Sequence, residues 1–386
     1  VSLLVPLIDW RLRSYLPDDH PDKPLELGQE ETPEEFVQKL VEIFREICRV
    51  LHPTGTCWVN LGDSYNSSSK RTKQSGNVGR RYGEDNDNHL PLLGDLQSGN
   101  LIGVPWRFAF AMQADGWILR QEIIWSKAGA MPESVTNRCT KSHEHIFLFA
   151  KKSKYYFDHV AIMERSKSNW NWERSAGNNK KVELKKNGFI TGGIGTKHDP
   201  NDQNKSFCRD VWHMSHEGGL KEAHFAPFPK KLALRCILAG SSQKGICKAC
   251  GSPWKRILEK TRTPTRPGRE SKIKEILKNR KIGQLDPRFQ RSGTSTKTTL
   301  GSVIGNRDLE RHVSTTKTIG WEPTCKCNAS DPVPAIICDP FSGSATAGIV
   351  AITRGRRFIG IDLSEEYIEM GHRRLKKAEL ARGFGF

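Results

Sequence analysis

No apolar run in the 386-residue chain is long enough to cross a bilayer, so the sequence contains no helical membrane span. No secretory signal is visible and none is expected: residues 1–9 are apolar but too short, and lack a basic leader. Acidic side chains are in deficit, 43 Asp and Glu against 61 Lys and Arg. The resulting charge of +18 and pI near 9.5 favour a polyanionic partner, with a merely well-solvated basic surface as the alternative. Much of the excess is local, since residues 251–320 hold seventeen Lys and Arg but only six Asp and Glu. Ten cysteines without a secretory context suggest a reduced, cytoplasmic setting, where paired cysteines are more often metal ligands than disulfides. A hydrophobic content of 36% and a mean hydropathy of -0.58 suit a soluble globular protein with polar insertions.

The chain is organised around Ile336–Asp362, IICDPFSGSATAGIVAITRGRRFIGID. Ile336, Ile337 and Cys338 form a short apolar run, Asp339-Pro340-Phe341 stops it, and Ser342-Gly343-Ser344-Ala345 turns the chain into a helix over Thr346–Thr353. A second apolar run, Phe358–Ile361, ends on Asp362, about twenty residues beyond the glycine turn. In a doubly wound sheet both features lie at the carboxyl ends of neighbouring strands, where ligands bind. An acid there can accept hydrogen bonds from ribose hydroxyls. Tight helix–strand packing alone would also explain a glycine in this turn.

Asp-Pro-Phe-Ser-Gly-Ser followed by Gly-Ile-Asp resembles the S-adenosylmethionine site of the amino-group DNA methyltransferases, which act on cytosine N4 or adenine N6. The resemblance implies that Asp339, Phe341, Gly343 and Ser344 line the methionine and adenosyl pocket, and that Asp362 holds the ribose. Relatives usually continue Gly-Thr-Thr, whereas this chain has Ala345-Thr346-Ala347, which implies a tighter turn or a weaker affinity.

Upstream, Thr32-Pro33-Glu34-Glu35 is a capping box with proline at the first helical position. Phe36, Leu40, Ile43, Phe44, Ile47, Val50 and Leu51 follow at helical spacing. Thr56–Leu61 reads as a buried strand, and Ser67–Asn100 as a long polar loop. A helix from Pro105 to about Ala114, a strand over Trp117–Trp125 and another over His145–Ala150 complete an alternating α/β pattern. Gly103-Val104-Pro105-Trp106-Arg107, Asp115-Gly116-Trp117, Ile123-Ile124-Trp125, Met131-Pro132-Glu133-Ser134 and Ser142-His143-Glu144 resemble the same family in order and spacing. Core and turn packing is the other reading of their Trp and Pro residues. Ser126–Ala130 departs from the family's usual Lys-Pro-Asn-Pro. Residues 164–205, with Trp170 and Trp172 among Lys, Asn and Gly, read as a DNA-facing loop or a linker. His224-Phe225-Ala226-Pro227-Phe228-Pro229, leading into a helix over Leu232–Ala239, resembles the second half of the cofactor pocket. By that resemblance His224, Phe225 and Phe228 belong to the methionine end.

Cys247-x-x-Cys250-Gly251 and Cys325-x-Cys327 flank the basic stretch. Two such pairs can supply the four thiolates of a tetrahedral structural zinc site; unrelated free thiols are the alternative. Zinc would tie down a segment too polar to bury a core of its own.

One motif is missing. The family presents the target amine with a Ser- or Asp-Pro-Pro-Tyr turn, whose place before Trp10 is taken here by Pro6-Leu7-Ile8-Asp9. The strand and loop that usually lie upstream are expected to be absent as well. Permitted codons for Val1–Ile8, GTG TCG TTA CTA GTC CCC CTT AT, read Val-Val-Thr-Ser-Pro-Pro-Tyr from their third base. A frameshift near Ile8–Trp10, with Val1 an alternative start, is therefore expected.

The resulting expectation is an α/β protein with a Rossmann-like methyltransferase sheet in circularly permuted motif order and a small zinc-ribbon-like insertion. Residues 1–240 would form the target-side half, 241–330 the cysteine-bearing insertion and 331–386 the cofactor-binding half. The resemblance implies methyl transfer from S-adenosylmethionine to double-stranded DNA, with cytosine N4 favoured, impaired here by the lost turn. A companion restriction endonuclease is a possible partner. A non-catalytic DNA- or cofactor-binding relic is the rival reading.

Overall fold

The computed structural model describes residues 2–8, 10, 14–66, 96–130, 132–165, 205–215, 229–264, 312–327 and 331–383. Most of 67–100 and 164–205, and all of His224–Phe228, lie outside the described residues. The chain divides into two compact units: Val1–Met163 with Phe207–Lys255 and Trp321–Phe386, and Glu164–Ser206 with Arg256–Gly320.

The first unit is built on a seven-stranded sheet. Its strands are β1 (Ser2–Ile8), β2 (Thr56–Leu61), β3 (Ile118–Ala128), β4 (His143–Ala150), β7 (Val211–Ser215), β12 (Ile336–Asp339) and β13 (Arg357–Gly360). They lie in the order β13-β12-β1-β2-β4-β3-β7. β4 runs antiparallel to β2 and β3, and the remaining pairs are parallel. The pairing of β1 with β12 brings an N-terminal and a C-terminal segment of the chain side by side within the sheet.

β1 corrects an expectation, for a strand was thought to be missing here. Ser-Leu-Leu-Val-Pro-Leu-Ile is apolar enough for a central parallel strand, and it pairs on both sides. Its register with β2 shifts between Val5 and Ile8, around Pro6, which has no N–H to donate.

Helices cover both faces of the sheet. Helix α1 (Pro33–Val50) begins where the capping box predicts, with Thr32 accepting a hydrogen bond from Glu35 N at 3.2 Å. Its Phe36, Leu40 and Phe44 pack with Phe108 and Met112 of α2 (Val104–Ala114) over Cys57, Val59 and Leu61 of β2. Val50 does not join them: it is 58% exposed in the last turn, and Leu51, beyond the helix, is buried instead. On the opposite face, Trp58, Trp125, Ile146, Leu148 and Trp212 meet Leu232, Ala233, Cys236 and Ile237 of α3 (Lys230–Gly240). Each such buried large side chain contributes about 1.5–3 kcal/mol. Strand β2, Thr-Cys-Trp-Val-Asn-Leu, is buried at all six positions, and its two polar side chains are paired: Thr56 Oγ1 accepts from Trp58 Nε1 at 3.1 Å and Asn60 Nδ2 donates to His145 O at 3.1 Å. Helix α4 (Thr346–Thr353) packs on this second face with Ala347, Val350 and Ala351. Helix α5 (Glu365–Gly383), which the sequence reading did not identify, follows β13.

The second unit contains the short pair β5 (Glu164–Arg165) and β6 (Lys205–Ser206). It also holds most of a two-stranded ribbon, β9 (Trp254–Pro264) with β10 (His312–Pro323).

Candidate cofactor turn and cysteine cluster

Strand β12 ends on Asp339, and the chain turns through Ser344 before α4 begins. Asp339 is 1% exposed, and its Oδ1 accepts a hydrogen bond from Phe341 N at 3.1 Å. The turn is laced to the end of β13. Ser342 N donates to Ile361 O at 2.9 Å, and Ile361 N donates to Asp339 O at 2.9 Å. Asp362 accepts from Gly343 N at 2.6 Å through one oxygen and from Ser364 N at 3.0 Å through the other. The acid and the glycine turn, nineteen residues apart, thus form one constellation.

Close approach explains the glycines. A Cβ on Gly360 would lie 2.9 Å from Ser342 Oγ, and one on Gly348 2.6 Å from the Phe358 ring. Gly343 has φ +48°, and Ala345 has φ +57°, the sole left-handed non-glycine among the described residues. The departure from Gly-Thr-Thr thus falls where the backbone most wants glycine. Burial raises the Asp339 carboxyl well above the ordinary carboxylate range; the Asp362 charge adds to this and the Phe341 N–H opposes it. Asp362 is raised by burial too, against the pull of its backbone donors.

The residues suit an adenosyl group. A carboxylate has about four lone-pair positions, so Asp362 keeps acceptor capacity beyond its backbone donors. Beside it Ile361 is 56% and Leu363 40% exposed, apolar surface that an aromatic base would cover. Ser364 and Arg374 were missed at the sequence level. Ser364 Oγ accepts from Tyr367 N at 3.4 Å at the start of α5, and Arg374 donates to Ser344 O, fixing the turn from behind. Ser-Glu-Glu after Asp362 was the available helix-start signal.

On the target side, Asp63, just beyond β2, accepts from Gly103 N at 3.0 Å and Val104 N at 3.1 Å at the start of α2. Trp117 and Trp125 are core residues, and Trp106 packs edge-on against Phe147. Glu144, at the start of β4, is buried and held by Lys127 of β3.

The four cysteines do meet. The sulfurs of Cys247, Cys250, Cys325 and Cys327 all lie within 4.8 Å of one another, within the first unit. Gly251 N donates to Cys247 O at 2.9 Å in a turn that uses Gly251 at φ +76°. β8 (Ile246–Cys247) pairs with β11 (Pro332–Val333), which leads into β12, and His52 Nε2 contacts Cys250 O at 3.2 Å. The knuckle is thereby fastened to the sheet. Hydrogen bonds from Ser252 draw the Cys250 thiol down to about 6, while the crowded sulfurs push Cys327 up to about 12. A cation among them would relieve that mutual repulsion.

A mostly parallel seven-stranded sheet with helices on both faces and an acid-and-glycine turn at the ends of neighbouring strands defines a mixed α/β protein. The chain belongs to the N6/N4 DNA methylase family, whose pattern matches residues 22–248 and 328–373. It is 36% identical over 238 residues to the type II methyltransferase M.SmaI of Serratia marcescens, covering 61% of this chain and 67% of that protein. Over 234 residues it is 36% identical to M.Cfr9I of Citrobacter freundii, covering 60% of this chain and 63% of that one. A 28% identity to M.SfiI of Streptomyces fimbriatus extends over 385 residues, 93% of this chain and 82% of its counterpart.

Proposed function

We propose that the chain derives from a site-specific DNA methyltransferase that transfers a methyl group from S-adenosylmethionine to an exocyclic amine of duplex DNA, cytosine N4 in preference to adenine N6. The observation that carries this is the hydrogen-bonded constellation of Asp339, Gly343 and Asp362, flanked by exposed Ile361 and Leu363. In this reading Asp362 holds the ribose hydroxyls, Asp339 orders the Phe341 turn, and His224, Phe225 and Phe228 supply the methionine end. When bound, the cofactor supplies an electrophilic methyl group. The protein's part is to seat a flipped base with its amine lone pair in line and to accept the amine's hydrogens.

Residues 331–386 are the cofactor half in permuted order, and 241–330 an insertion whose four cysteines hold structural zinc. The thiol spacing and the donor type support zinc. A companion restriction endonuclease fits relatives named as type II methyltransferases.

The rival reading, a cofactor- or DNA-binding relic, has one observation in its favour. Pro6-Leu7-Ile8-Asp9 stands at the end of β1 where a turn of Ser-Pro-Pro-Tyr type would present the amine. Calorimetry with S-adenosylmethionine tests the common part: Asp362→Ala should weaken binding about tenfold or more, the worth of hydrogen bonds to a charged group. Equal binding by parent and variant would refute the cofactor assignment. Cofactor binding without labelled-methyl transfer to any DNA would select the relic.

A further inference from the structure

The net charge is divided unequally between the two units. The second unit, Glu164–Ser206 with Arg256–Gly320, holds 25 Lys and Arg against 11 Asp and Glu, so fourteen of the eighteen net positive charges belong to it. The first unit holds 36 against 32. A near-neutral sheet unit and a strongly basic second unit are what a division between chemistry and polyanion contact would produce.

Among the described residues of the second unit, Arg256, Lys260 and Lys317 lie on the β9–β10 ribbon. Arg256 donates to Thr318 Oγ1 at 3.1 Å, and Thr261 and Thr315 join hydroxyls at 2.5 Å. These partners run in opposite directions along β9 and β10. Lys260, next to Thr261, and Lys317, two residues from Thr315, are both exposed, with Glu259 the one acid on this part of the ribbon. Ile257 and Ile319 of the ribbon are exposed as well. A two-stranded ribbon fits the major groove of B-form DNA, and lysines along its edges reach phosphates.

We infer that the β9–β10 ribbon is a duplex-DNA arm that grips backbone phosphates through Lys260 and Lys317, giving affinity without reading sequence. The inference rests on the DNA reading above. It is tested on the full chain by fluorescence anisotropy with an unrelated duplex of about 30 base pairs across a potassium chloride series. Lys260→Gln with Lys317→Gln should flatten the slope of log K against log salt by nearly two, about 0.9 per lost phosphate contact, whatever the sequence. Lys260→Arg with Lys317→Arg should restore the slope, and cofactor binding by the sheet unit should be the same in all three proteins. A Gln variant with the parental slope would overturn the inference while leaving the methyltransferase reading intact. Failure of the unaltered chain to bind any duplex DNA would remove the DNA reading and the arm together. Stronger competition by duplex RNA would replace DNA as the arm's occupant.

Discussion

Ala345 holds a conformation that L-residues avoid, φ +57°, at the point where the chain leaves the cofactor turn for α4. The left-handed region costs a Cβ-bearing residue roughly 1–2 kcal/mol, partly offset here by burial of the methyl group. Ala345→Gly is therefore expected to stabilise the protein by about 0.5–1 kcal/mol, read as a shift in the urea midpoint. An unchanged or lower midpoint would show that methyl packing against Gly371 outweighs the strain. Asp339 carries a different cost. Its carboxyl is raised in the folded state, so the native protein holds that proton more tightly than the unfolded chain does. The stability linked to this group is present below the ordinary aspartate range and lost as pH rises through the folded value. Asp339→Asn, which cannot ionise, should melt higher than the parent at neutral pH, with the gap closing as pH falls toward the ordinary aspartate range, about pH 4. Melting curves at several pH values check this, and a gap independent of pH would contradict it.

Among the elements, the cysteine knuckle joins parts of the chain that are far apart in sequence. Cys247 ends β8 and Cys250 sits on the turn after it, Cys325 and Cys327 lie just beyond β10, and β8 pairs with the segment entering β12. With zinc bound, the site would fasten the root of the ribbon to the sheet. Cys325→Ser is expected to lower the metal found by mass spectrometry from one zinc per chain toward none and to reduce thermal stability. A metal-free parent protein would instead identify the cluster as free thiols. Elements with strong local signals, the capping box of α1, the largely apolar β2 and the Ile336–Asp339 strand with its turn, were legible from their own residues. Helix α5 was overlooked although Ser364 and two glutamates announce its start. β1 was discounted because the motif expected at its end is missing, yet pairing with β12 and β2 depends on backbone and apolar character, not on that motif.

For the whole molecule, turnover depends on the residues at the end of β1. If the nucleotide sequence before codon 10 continues in the shifted frame and encodes Ser-Pro-Pro-Tyr, a repaired gene should methylate DNA. Nucleoside mass spectrometry should then find N4-methylcytosine in preference to N6-methyladenine. A closed frame would leave Pro6-Leu7-Ile8-Asp9 as the native residues and favour the binding relic. The sequence alone was enough for the α/β alternation, the acid-and-glycine spacing, the two cysteine pairs and the basic excess, because each is written in neighbouring residues. Folding was needed to bring Asp362 onto Gly343, to gather four sulfurs from segments about 75 residues apart, to expose Val50 while burying Leu51, and to collect most of the net positive charge in one unit. Those outcomes depend on which distant segments share a sheet edge or a unit, and strand pairing and burial settle that for the chain as a whole.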